Sequence, residues 1–62
     1  MSEILTAKEV SEMLKINLFT LYSLTRRKVV PSIRIGRLVR YDLESLRKFI
    51  EAHTVKQETK GD

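Results

Sequence analysis

Seven cationic side chains stand between residues 15 and 41: Lys15, Arg26, Arg27, Lys28, Arg34, Arg37 and Arg40. No Asp or Glu interrupts them. Guanidinium and ammonium groups in this density, with no carboxylate to neutralise them, fit a polyanion. Arg offers a planar fork of donors to phosphate-like oxygens, and Lys a compact point charge. The flanks reverse the balance: Lys8 faces Glu3, Glu9 and Glu12 on one side, and residues 42–62 carry more acids than bases. The whole-chain charge of +4 therefore conceals one strongly basic segment between two mildly acidic ones. Taken singly, each cluster has a plainer role. Arg26, Arg27 and Lys28 can stabilise a helix C-terminus, and Arg34 and Arg40 can be solvated edge-strand charges. Together they argue otherwise, because a merely solvated face mixes signs.

Other chemistries lack their residues. The chain has no cysteine, so disulfide scaffolds, thiolate metal sites and cysteine nucleophiles are excluded. His53 is its single histidine, placed to end a helix, and leaves no histidine cluster for zinc. No nucleophile–base–orienter set is legible, so the expectation is no enzyme, no cofactor and no metal. Apolar runs are too short to span a membrane, and the Met1-Ser2-Glu3 start lacks a basic leader region. The expected setting is cytoplasmic. Sixty-two residues make one small domain with a marginal core, yet 42% hydrophobic residues suit a folded unit better than a disordered basic arm.

The elements that must position the cations follow from capping and periodicity. Thr6 and Glu9 have the spacing of a capping box, with Leu5 and Val10 as a hydrophobic staple. They predict a first helix over 7–14 with Val10, Met13 and Leu14 facing inward. Asn17 is a good N-cap for a second helix over 18–26, with Ile16 and Leu21 as its staple. Leu21, Leu24 and Thr25 then face inward. Leu18, Phe19, Thr20, Ser23, Arg26 and Arg27 face out, and Tyr22 lies at the boundary. Pro31 ends helix formation and biases Val30 toward extended geometry. Residues 32–41 alternate in period two around Gly36-Arg37, which predicts a hairpin. Ile33, Ile35, Val39 and Tyr41 are expected on the core face, Arg34 and Arg40 outward, and Arg37 at the tip. Asp42 caps a third helix over 43–53, with Leu43, Leu46, Phe49 and Ile50 at helical spacing. Residues 54–62 show no pattern and read as a disordered polar tail after a 1–53 domain.

Helix, turn, helix, hairpin, helix is a mainly α fold with a small β-hairpin, a winged helix-turn-helix. In that layout the second helix enters the major groove of double-stranded DNA and the hairpin wing meets the neighbouring backbone or minor groove. Leu18, Phe19, Thr20, Tyr22, Ser23, Arg26 and Arg27 become recognition-helix residues. Lys15, Lys28, Arg34, Arg37 and Arg40 become phosphate and wing contacts. The odd members are Leu18 and Phe19, and three roles stay open for them: contact with a thymine methyl, packing of Phe19 onto Tyr22 or the wing as extra core, or a protein-interaction patch.

The run from Leu5 to Val10, Leu14-Lys15-Ile16-Asn17, Thr20-Leu21-Tyr22, Val30 through Asp42, and Leu46 resembles the excisionase-type, MerR-like winged-helix DNA-binding domains. The resemblance covers residues 4–53, and Pro31 to Tyr41 is its most specific part. It implies a factor that binds and bends DNA at recombination sites and directs a tyrosine recombinase (integrase) toward excision, several copies associating along the DNA. It equally covers small transcriptional regulators of mobile elements. No long coiled coil or effector domain follows, so no small-molecule ligand is expected. The chain departs from the family pattern at Lys15 and Lys28, where glycine is common, and at Leu18-Phe19, where polar or basic residues are frequent. A left-handed Lys costs about 1 kcal/mol, so either the turns differ or the charge compensates at DNA.

Overall fold

The computed structural model describes residues 3–55. Its elements are β1 (Ile4–Leu5), α1 (Ala7–Leu14), α2 (Leu18–Arg26), β2 (Ile33–Ile35), β3 (Leu38–Asp42) and α3 (Leu43–Ala52). Mainly helical, with a small antiparallel sheet, it is the winged helix-turn-helix that the sequence predicts. Of the tail expected over 54–62, residues 56–62 lie outside the described residues.

Local chemistry sets the helix starts. The Thr6 hydroxyl accepts from the Glu9 amide at 3.2 Å, and the Glu9 carboxylate accepts from the Thr6 amide at 2.8 Å. Two otherwise orphaned donors are thus satisfied reciprocally. Asn17 Oδ1 accepts from the Thr20 amide at 2.7 Å, and Asp42 Oδ2 from the Ser45 amide at 3.0 Å. Both helices flanking the turn also end alike. Lys15 takes the left-handed conformation (φ 58°, ψ 44°) while its amide donates to Glu12 O and the Ile16 amide donates to Ser11 O. Lys28 (φ 63°) donates to Thr25 O, and Val29 to Leu24 O. Each pair of bonds is a Schellman motif with lysine where glycine is usual. The turns therefore do not differ from the glycine-bearing pattern, and the chain accepts left-handed lysine twice.

The core collects one apolar contribution from nearly every element: Leu5, Ala7, Val10, Leu21, Val30, Tyr41 and Leu46, with Leu14, Ile16, Leu24, Val39, Leu43 and Phe49 packed against it. Both members of the Leu5–Val10 staple are buried there. On α1 the inward face is Ala7, Val10, Ser11 and Leu14, the i, i+3, i+4, i+7 set. Met13, expected inward, falls off this stripe and is exposed. Buried Ser11 is satisfied by donating to Lys8 O at 2.8 Å. Ile50, also expected inward, is exposed on α3, and His53 follows the helix as its cap.

The sheet differs from expectation in two ways. Two residues before the first helix form β1, which pairs antiparallel with β3 through Ile4–Asp42 and Leu5–Tyr41, giving the order β1-β3-β2. The hairpin also presents different faces. Ile35 pairs with Leu38, Arg34 with Val39 and Ile33 with Arg40 across the two-residue turn at Gly36-Arg37. Directly opposed residues share a face, so Arg34 lies with Val39, while Ile33 and Ile35 lie with Leu38 and Arg40. The expected single apolar face of Ile33, Ile35, Val39 and Tyr41 does not exist. Only Tyr41 is buried, and Ile35 is 55% exposed beside Leu38 at 53%. Gly36 supplies the left-handed φ of 60° at the first turn position.

Candidate nucleic-acid interface

A groove of about 630 Å³ opens between α2 and the wing. Arg26 and Lys28 come from the end of α2 and its Schellman turn, Arg34 from β2. Tyr22, Thr25 and Ser32 bring hydroxyl-bearing side chains, and Val30, Pro31 and Val39 line it with apolar surface. No carboxylate lines it. Three cations and the Tyr22 and Ser32 hydroxyls across a concave surface can all donate to phosphate oxygens, while the Thr25 hydroxyl is committed within the fold.

The hairpin register explains how Arg34 reaches this groove. It opposes Val39, which also lines the groove. Arg40 opposes Ile33, on the other face of the ribbon, and is half-buried, its guanidinium donating to Val39 O at 2.8 Å. The sequence treated Arg34 and Arg40 as one outward-facing pair, and the structure separates them. Arg37 occupies the turn itself, exposed, between the apolar pair Ile35 and Leu38. Arg27 follows α2 and is exposed, and Lys15 is exposed at the turn before it.

The outward stripe of α2 is Phe19, Tyr22, Ser23 and Arg26, again the i, i+3, i+4, i+7 set. Phe19 is 82% exposed, Tyr22 45% and Leu18 39%. Phe19 is absent from the core and from the side chains packed against it, so its role as extra core is overturned. It sits at the second position of α2, directly after the Asn17 cap and Leu18. Thr20 and Ser23 are half-buried.

One hydroxyl pair fixes α2 against the wing. Thr25 Oγ1 donates to Leu21 O at 2.8 Å and lies 2.8 Å from the Tyr41 hydroxyl. Since Thr25 has a single hydroxyl proton, already given to a carbonyl, Tyr41 is the donor between the two hydroxyls. The fully buried Tyr41 is thereby satisfied. Neither this bond nor Ser32 as a groove residue is foreseen by the sequence reading. Ser32 stands two residues before Arg34, so the period-two alternation of the extended chain puts both on one side, which is the signal that would have found it.

Among the described residues no group of three or more His, Asp or Glu side chains is placed to hold a metal ion, and no helix is long and apolar enough to cross a membrane.

Comparison with known proteins agrees with this geometry. Residues 4–54 match the family model of a helix-turn-helix domain. Over 44 residues the chain is 39% identical to the uncharacterized protein YvgK of Bacillus subtilis (strain 168). That alignment covers 71% of this chain and 14% of YvgK, so the chain spans about one seventh of that relative's length. No solved structure matches the chain.

Proposed function

The chain belongs to the helix-turn-helix domain family, whose members bind DNA and are typically not enzymes, and on that premise we propose that it recognises double-stranded DNA in a sequence-specific way. In this reading α2 lies in the major groove. Arg26, Lys28 and Arg34 grip one phosphate strand in the groove between α2 and the wing. Arg37 reaches the adjacent minor groove or backbone from the wing tip, Arg27 and Lys15 contact flanking phosphates, and Arg40 steadies the ribbon's far face. The observation that carries the proposal is the acid-free cationic groove itself. The DNA-binding unit is the fold made by the described residues 3–55, and the protein resides with the nucleoid.

A single module of this size covers only about 600–1,000 Å² of DNA. We therefore read it as an excisionase-type architectural factor, acting as several copies that bend a recombination site and turn a tyrosine recombinase toward excision. The same helix-turn-helix family supports a second reading, a small transcriptional regulator of a mobile element.

Salt dependence tests the shared premise. Neutralising about five phosphates gives a slope of log affinity against log salt near −4.5. A slope near zero overturns DNA binding. Footprinting on attachment-site DNA and on the protein's own upstream DNA then separates the two roles: protection with bending at the attachment site supports excision, and protection of the upstream region alone supports regulation.

A further inference from the structure

Resting on the placement of α2 in the major groove, we propose that the first turn of α2 selects thymine by its 5-methyl group, with Phe19 as the principal contact and Leu18 beside it. Helix α2 lacks most of the side chains that read bases by hydrogen bonds. Its sequence, Leu-Phe-Thr-Leu-Tyr-Ser-Leu-Thr-Arg, contains no Asn, Gln, Asp, Glu or His. Asn and Gln are the bidentate readers of adenine, and Asp and Glu accept from cytosine. Arg26, able to read guanine, stands in the last turn and lines the phosphate groove with Lys28 and Arg34. Side-chain hydrogen bonding at the N-terminal end is left to the half-buried Thr20 hydroxyl and to the Asn17 cap, whose Oδ1 already accepts from the Thr20 amide and so is not free for the bidentate reading of adenine.

What the first turn does offer is apolar surface. Phe19 heads the outward stripe at 82% exposure, with Leu18 at 39%. A phenyl ring held this far into solvent gains from any partner that covers it. The partner's chemistry is restricted by the same face. Arg26 lies on the stripe below Phe19, Lys28 follows at the end of the same helix, Arg34 lines the groove from β2, and no acid falls between residues 15 and 41. The occupant must be polyanionic and still present an apolar knob at the depth reached by a helix. In the major groove of duplex DNA the thymine methyl is the group that does so, and it distinguishes T·A from the other pairs without a hydrogen bond. An acidic protein surface is the competing occupant.

Replacing thymine by uracil deletes that methyl and preserves every hydrogen-bonding group. The full chain is equilibrated with a duplex library carrying a randomised window. The enriched duplex is then resynthesised with deoxyuridine at each thymine in turn. At the contacted thymines the expected loss is about fourfold in affinity for each methyl removed, the worth of one buried carbon. Phe19→Ala is expected to bind the thymine and uracil duplexes equally, with the salt slope of the parent. Its thermal midpoint is expected to stay near the parent's, because the ring is 82% exposed. Enrichment of a duplex that tolerates uracil at every thymine overturns methyl selection and leaves DNA binding standing. Phe19→Ala that retains the thymine preference overturns the role of Phe19. A chain that enriches no duplex overturns both this proposal and the DNA reading.

Discussion

The phenol of Tyr41, fully buried in β3, donates to Thr25 on α2 at 2.8 Å, and Thr25 passes its own proton to Leu21 O at 2.8 Å. One relay of two hydroxyls joins α2 to the wing strand β3. Its members are not equivalent. Tyr41→Phe removes one bond and leaves Thr25 still donating to its carbonyl, so it is expected to cost about 0.5–1.5 kcal/mol. Thr25→Val leaves the Tyr41 hydroxyl buried without an acceptor and is expected to cost about 1–3 kcal/mol. The double variant should then be no less stable than Thr25→Val alone. Urea denaturation midpoints of the three variants test the order, and a Tyr41→Phe loss larger than that of Thr25→Val contradicts the assigned direction of the relay.

The two left-handed lysines set stability against binding. At Lys15 and Lys28 a Cβ stands where the Schellman turn favours glycine. A cation so placed is favourable beside the unsatisfied carbonyls of a helix C-terminus, but the backbone conformation itself is strained by about 1 kcal/mol. Lys15→Gly and Lys28→Gly are each expected to raise stability by up to about 1 kcal/mol. Each should also weaken DNA binding and make the salt slope shallower by about 0.9, one phosphate contact fewer. Thermal melts and salt titrations on the same samples check both halves. Stabilisation with unchanged affinity would remove these lysines from the interface.

Much of this fold was legible because local chemistry and global packing agree. Thr6, Asn17 and Asp42 each cap a helix as their side chains suggest, and α1 and α2 have the bounds that capping and periodicity predict. Two features were not legible, for different reasons. A two-residue strand such as β1 carries no alternation to read, and its partner β3 lies more than thirty residues away in sequence. The hairpin faces turn on parity. Period two carried straight through the turn groups odd positions on both strands, yet pairing Ile35 with Leu38 makes odd positions of β2 share a face with even positions of β3. That one step moved Arg34 into the groove and set Ile35 in solvent. The charge of the site was therefore visible from sequence, and its sidedness was not. Phe19 is the reverse case, since its outward position was read correctly and only its exposure excluded a place in the core.

Strand β1 gives the next prediction. Leu5 is 7% exposed within the core cluster, backed by the Leu5–Tyr41 pairing. Leu5→Ala is expected to cost about 2–3 kcal/mol, in the range of a buried leucine truncation. Met13→Ala, at an exposed position of α1, is expected to stay within about 0.5 kcal/mol of the parent. Chemical denaturation of the two variants compares them directly. A tolerant Leu5 would mean that the N-terminal strand adds little to the fold.

The wing arginines supply the last test, because the register makes opposite demands on two residues that look alike in sequence. Arg34 faces the groove with Arg26 and Lys28, whereas Arg40 lies on the far side and is tied to Val39 O. If a phosphate strand runs through the groove, Arg34→Ala loses a contact made at its centre, and the salt slope falls by about 0.9. Arg40→Ala removes a half-buried stem packed along the ribbon, so its effect is expected mainly on stability, with the slope retained. Arg34→Lys should recover much of the slope but less of the affinity, since an ammonium cannot reproduce a bidentate grip on phosphate. Salt titrations of the three variants against one duplex decide the matter. Equal losses for Arg34→Ala and Arg40→Ala would mean that DNA lies across the wing edge, touching both faces, and not within the groove between the wing and α2.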